Sequence, residues 1–445
     1  MNFIYNIFFL LIFVSVDVFS QPTIDWARHY TGPGNNTDNA LDVITDQFNN
    51  IYITGYSYSG SAQGNDIVTI KYLPNGDSAW VRIFATPGNT FDLGNSLTIL
   101  NNFVYITGGN TNFLKYDLNG NFIFSRYDSL STGPKMRIIS DSSKYLYCCG
   151  KIRINGTYGF GVIKYDSVGN LIWKVKYLPP TEDNNSEMHD AVKDSESNII
   201  LTGSAAINYS YPFWDILTIK IKPNGDTAWM RTYNGDWGGT QGFDEAYGVD
   251  VDDSNNVYVT GASKDSNFLF TYVTLKYSPF GELKWVKRFS IGGSGALDIK
   301  VDRNNDLIIC GETSSNYTTV KYDRNGNLLW SRTQICGELA PVWPVIYLDS
   351  LNNAIIAQTT ITTNGGRNFS IVKYSPTGDL LWQALYPNTG STALNSPEAI
   401  TMDNEGKVIV TGRGTIMIGQ GGTNCLTIKI SQPLGITKIS NEIPK

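Results

Sequence analysis

One unit recurs along this chain, and it leaves few folds open. Its clearest copy spans residues 246–289. Four short runs with strand character lie at 247–251, 256–260, 271–277 and 282–289, each alternating apolar and polar residues and rich in Val, Tyr, Thr and Leu. Turn residues separate them: Asp-Asp-Ser-Asn-Asn, a Gly-Ala-Ser-Lys-Asp-Ser spacer, and Ser-Pro-Phe-Gly. A four-stranded meander of this size cannot bury both of its faces by itself. It needs copies on either side, and the chain supplies them.

One aromatic per copy marks the fourth run: Trp26, Trp80, Phe124, Trp173, Trp229, Trp285, Trp330 and Trp382, at intervals of 44 to 56 residues. Such a period belongs to repeat arrays, so a length of 445 residues predicts one closed domain rather than two or three. The first marker stands in an orphan fourth run at 24–30, with no three runs before it. The last copy, at 399–430, stops after three. The two defects complement each other. The predicted fold is therefore all-β: a single eight-bladed β-propeller of four-stranded antiparallel blades, closed by the N-terminal strand, which leaves only short edges.

The other repeated residues read as scaffold. Residues at i, i+2 and i+4 of a strand share a face, which groups Trp285 with Lys287 and Phe289. Gly281 and its equivalents lie in hairpins that demand positive φ. A lysine closes every third run: Lys71, Lys115, Lys164, Lys220, Lys276, Lys321, Lys373 and Lys429. Asp252 and six equivalents end the first run, with Asn101 in the second copy. Lysine and aspartate belong near one rim, so an ion-pair or hydrogen-bond ladder, one rung per blade, is expected.

Residues 1–20 are a separate object. Their apolar run and the small residues at 18 and 20 predict a cleaved signal peptide, although no Lys or Arg precedes the run. A membrane anchor is the other reading, but the run is shorter than the roughly 20 residues a spanning helix needs. The mature propeller would occupy 22–432 and a flexible tail 433–445. The protein is thus expected to be secreted or held at the outer cell surface, and monomeric. A net charge of −6 argues against a nucleic-acid partner. Five cysteines match no metal template, and Cys149 and Cys310 replace a small Thr before glycine. No cofactor or metal is implied.

Catalytic signals are weak. Two histidines, His29 and His189, make a serine-type triad hard to build. The segment 292–296 has only a superficial likeness to a nucleophile elbow. The connections from second to third and from fourth to first runs are long and variable, and a propeller gathers them on one face, the usual place for binding. The richest are 208–215 and 234–245, where Tyr209, Tyr211, Trp214, Asp236 and Trp237 combine ring faces with polar groups, as a glycan or peptide site would. These aromatics could equally pack their own loops. Three roles follow: a non-enzymatic binding or scaffold module for glycan or protein, a polysaccharide hydrolase or lyase in the same cleft, or a purely structural surface protein.

The motif Asp-x-x-Asn-Asn-Val-Tyr-Val-Thr-Gly, followed by Val-Thr-Leu-Lys-Tyr-Ser-Pro-x-Gly-Glu-Leu-x-Trp, resembles the bacterial SBBP β-propeller repeat, related to NHL-type propellers. The resemblance runs from Ile24 to about Ile430. It implies an exported protein with a binding or scaffolding role and no catalytic residues to transfer. That family is usually seven-bladed, the alternative count to the eight copies here. The tail from Leu434 resembles the linker that often precedes a type IX secretion sorting domain.

Overall fold

The structure is a computed structural model describing residues 21–433, except residues 35, 61–63, 87–90, 109–110, 128–135, 155–156, 178–185, 207–213, 236–242, 266, 268, 291–292, 294, 314, 337–342, 362–364, 388–393 and 416–421. The signal-peptide segment 1–20 and nearly all of the tail lie outside the described residues.

Eight four-stranded antiparallel sheets follow one another around a ring. Blade five, for example, is Asp244–Val251, Val257–Lys264, Phe270–Tyr277 and Leu283–Phe289. Blade eight is composite. Thr23–Tyr30 pairs antiparallel with Asn424–Ser431, so the two ends of the chain share one sheet. The expectation of eight blades closed by the N-terminal strand holds. First strands of neighbouring blades touch and line the axis. Apolar clusters sit between blades: Tyr147, Cys149 and Phe160 of blade three pack with Leu201, Leu217 and Ile219 of blade four.

The repeated aromatic works across the blade boundary. Trp229 Nε1 donates to the carbonyl of Pro279 in the next blade's hairpin (3.0 Å), and Arg231 Nε donates to Gly281 O (2.6 Å). Trp26 and Arg28 do the same with Pro74 and Gly76, which locks blade eight to blade one. The hairpin glycine has a second duty beyond its φ of +80°. A Cβ on Gly281 would stand 2.7 Å from Cγ of Trp229. Only glycine lets the hairpin lie on the neighbour's indole.

The aspartate at the end of the first strand holds its own turn. Asp252 Oδ1 accepts from the backbone N–H groups of Ser254 and Asn256, and Asn255 takes a φ of 61°. The lysines lie on that rim and the ladder forms, through ion pairs in four blades and through hydrogen bonds to the next blade in the other four. Pairs form in four blades: Lys220–Asp194 (2.8 Å), Lys321–Asp302 (2.8 Å), Lys373–Asp349 (2.7 Å) and Lys429–Asp403 (2.7 Å). The residue opposite the lysine in the second strand decides. It is isoleucine in these four: Ile200, Ile308, Ile355 and Ile409. In blades one, two, three and five it is Tyr52, Tyr105, Tyr147 or Tyr258. Tyr52, Tyr147 and Tyr258 give their hydroxyl to the aspartate instead. The lysine then lies over the tyrosine ring, with Lys276 Nζ 4.9 Å from the Tyr258 centroid, and donates to a carbonyl of the next blade, here Arg324 O (2.9 Å). Burial pulls the pKa of Lys115, Lys164 and Lys276 down, as expected for ammonium groups without an ion-pair partner.

Candidate functional site: the central channel and its mouth

The channel is built from the first strands. In six of them the pairing with the second strand slips by one residue, for instance between Met188 and Asp190 and between Ala296 and Asp298. The residue after the slip occupies one register position per blade: Asp42, Ser96, Arg137, Asp190, Gly248, Asp298, Val345 and Ala399. Seven of these eight line an axial cavity of about 410 Å³.

Its carboxylates also stitch blades together. Asp42, Asp190 and Asp298 each accept, through Oδ2, a backbone N–H from the next blade's first strand: Leu97 (2.9 Å), Val249 (3.2 Å) and Ile346 (2.8 Å). Deeper in, Asp250 accepts from Val301 N (2.8 Å). Arg137 Nε donates to Asp190 Oδ1 (2.9 Å), and Lys300 lies 3.6 Å from Asp298. Both cations sit inside the molecule yet keep 39% of their side-chain surface open to the channel. Burial would lower the Arg137 pKa, but Asp190 and Asp42 outweigh it and hold the guanidinium charged. Asp298 does the same for Lys300, against burial. Burial raises Asp42 and Asp250 above the usual carboxylate range. The charged lining comprises five carboxylates (Asp42, Asp190, Asp250, Asp298, Glu398) and two cations (Arg137, Lys300), a formal excess of three negative charges.

At the long-loop end, where the first strands begin, three rings meet. His189 and Tyr247 lie with centroids 5.1 Å apart at 65°, and Tyr247 and Trp343 5.1 Å apart at 73°. Edge-to-face contact of this kind favours aromatic pairs. The Tyr247 hydroxyl donates to Glu245 Oε2. Burial raises the Tyr247 pKa, and the charges of Glu245, Glu312 and Glu187 raise it further. Glu312 pairs in register with Gly295, where a Cβ would stand 4.0 Å from the Tyr247 ring. Burial pushes Glu312 up to about 7, and its Oε2 is buried with no hydrogen-bond partner among the described residues.

Of the five site residues expected from sequence, Trp214 alone is described. It is half-buried at the start of the third strand of blade four, opposite Ala206. Tyr209, Tyr211, Asp236 and Trp237 lie outside the described residues. Beside Trp214, Asp215 is buried and pushed up to about 7 by desolvation and by Asp244, which accepts from Gly235 N (2.8 Å). The strand that follows residue 243, Asp244–Val251, carries Tyr247 to the channel. Sequence reasoning missed the channel ring and its mouth. The available signal was a charged residue in a first-strand position that faces the axis: Asp42, Arg137, Asp190 and Asp298. His29 bridges blades instead, contacting Asn424 Oδ1 (2.8 Å) and the Tyr386 hydroxyl (3.0 Å). Among the described residues, no group of three or more His, Cys, Asp or Glu is placed to hold a metal.

Fold and channel together define the class: the chain is an eight-bladed β-propeller. Among solved structures it is similar to Sqt1 from Chaetomium thermophilum, with a TM-score of 0.58 and 9% identity over 92% of this chain and 98% of that one. A second Sqt1 structure from the same organism gives 0.56 and 9%, covering 93% and 100%. At that identity the likeness is one of fold. The polysaccharide lyase Uly1 lies further off, at a TM-score of 0.45 and 10% identity over 90% of each chain. No family model and no curated protein matches the chain.

Proposed function

We propose that this propeller is an exported, non-enzymatic binding module whose ligand, a glycan or a segment of another surface protein, enters at the long-loop mouth of the central channel. The observation that supports it most is the trio His189, Tyr247 and Trp343 at the entrance to a lined cavity, where ring faces and polar groups converge. Export rests on the apolar leader at 1–20 and on the likeness to SBBP repeats. Trp214, at the start of the third strand of blade four, lies toward the same face and would widen the site. A glycan array and capture from extracellular extracts, run beside Trp343→Ala and Trp214→Ala, test the reading. Specific binding lost in Trp343→Ala supports it; no binding to either panel contradicts it.

A polysaccharide-cleaving role is the second reading. It rests on Glu312, which burial pushes up to about 7, so that near neutrality it is divided between a protonated form that could serve as general acid and its carboxylate. It demands turnover of a polysaccharide panel that Glu312→Gln abolishes.

A further inference from the structure

We infer that the channel mouth takes an organic cation, a primary ammonium or guanidinium group held against the rings of Tyr247 and Trp343 and met by the carboxylate of Glu312. This rests on the binding reading above and names the chemistry of its ligand. Four observations converge on it.

The sign of the site comes first. Carboxylates outnumber cations five to two in the charged lining. Each cation already has an acidic neighbour, Arg137 at 2.9 Å from Asp190 and Lys300 at 3.6 Å from Asp298. Those neighbours offset both cations, and an anion entering would meet a lining with a formal excess of three negative charges.

The rings come second. An aromatic face carries the negative lobe of its quadrupole, and indole is the strongest such partner for an ammonium or guanidinium group. Tyr247 and Trp343 meet edge to face at 73°, a corner of two walls rather than a closed stack. The same device already operates in this fold, where Lys276 lies over Tyr258 and Lys71 over Tyr52.

Third, Glu312 Oε2 is a buried acceptor with no donor among the described residues. Burial without a hydrogen bond is costly, and an incoming N–H would remove that cost. Glu312 is the register partner of Gly295, where a Cβ would stand 4.0 Å from the Tyr247 ring, and Glu245 accepts from the hydroxyl of that tyrosine and adds to the negative potential. Fourth, a cavity of about 410 Å³ suits a ligand the size of a polyamine or a long side chain. A bare metal ion fits less well, since no group of three ligating residues is present among those described and aromatic walls favour a weakly hydrated cation.

The test is isothermal titration of the full mature chain with spermidine, with Nα-acetyl-lysine methylamide, with a neutral malto-oligosaccharide and with inorganic phosphate. Saturable binding of either amine, with none of phosphate, is expected, and the tighter amine tells a free polyamine from a lysine side chain. Glu312→Gln, isosteric with the native residue, and Trp343→Ala should each weaken amine binding about tenfold, the scale of one desolvated cation–π or charged hydrogen bond. Thermal melts establish that both variants fold. No binding of either amine at millimolar concentration overturns the inference, as does equal binding by wild type and both variants. If the oligosaccharide binds through Trp343 while the amines do not, the cation falls and the binding function stands.

Discussion

Replacing Lys321 by methionine isolates the energetics of the lysine rim. Lys321 Nζ lies 2.8 Å from Asp302 Oδ2 and 3.3 Å from Asp306 Oδ2, and the side chains of Lys321 and Asp302 are 2% and 0% exposed. Asp302 Oδ1 is already engaged by the N–H groups of Asn304 (2.8 Å) and Asp306 (3.0 Å). The lysine is therefore the counter-charge for a carboxylate that cannot reach water. At 2.8 Å and an effective dielectric constant of about 20, the gross attraction is about 6 kcal/mol. Desolvation of both ions offsets much of it in the intact pair, but removing one partner leaves the other buried and uncompensated, which costs about 3–5 kcal/mol. Lys321→Met should lower the unfolding free energy by that amount in urea titrations. Adding Asp302→Asn keeps the turn acceptor and removes the stranded charge, so the double variant should recover to within about 1–2 kcal/mol of wild type. A single-variant loss below about 1 kcal/mol would refute the reasoning, because it would mean the pair is wet or the aspartate neutral.

Other perturbations have equally definite outcomes. Gly281→Ala combines a positive φ with a Cβ 2.7 Å from the Trp229 ring and should cost about 2–4 kcal/mol, whereas Gly406→Ala, at a similar φ in open space, should cost only about 1–2 kcal/mol; paired urea melts separate the two terms. Asp215 is raised from 3.8 to about 7 in the folded state, so the native protein holds a proton that the unfolded chain releases. Its contribution is fully present below about pH 4 and is lost as pH rises through about 7. Asp215→Asn should remove that dependence, so wild type should weaken relative to the variant by roughly 2–4 kcal/mol between pH 4 and 8. Tyr258→Ile recreates the second-strand residue of the ion-paired blades and frees Asp252 Oδ2 from the hydroxyl it now accepts at 2.9 Å. A crystal structure should then show Lys276 paired with Asp252; an unmoved lysine over the new isoleucine would refute the switch.

The blades were legible because their scaffold repeats. Trp285, Gly281, Lys276 and Asp252 recur with their spacing, and an orphan fourth strand at one end met a missing one at the other. The partners of those residues were harder to read. That Gly281 must be bare beneath Trp229 depends on which blade follows which, 52 residues apart in sequence. The split ladder was readable in principle, since tyrosine or isoleucine stands in plain view opposite each lysine, but its meaning needs the strand register. The channel ring was hidden for the opposite reason. Its register position holds Asp, Ser, Arg, Asp, Gly, Asp, Val and Ala, so no repeat marks it. Arg137 and Asp190 meet only because the ring closes around an axis. Glu312 likewise ends an ordinary second strand, and its importance appears only when its register partner Gly295 packs against Tyr247 of the neighbouring blade.

The central claim is that ligand enters at the channel mouth, and one comparison addresses it most directly. The tightest binder found by array, extract or amine titration is measured against wild type and Trp343→Ala by calorimetry, with thermal melts confirming that both are folded. Loss of an indole wall should weaken that ligand about tenfold while the melting temperature stays put. Equal affinity in the two proteins would place the ligand elsewhere and contradict the account.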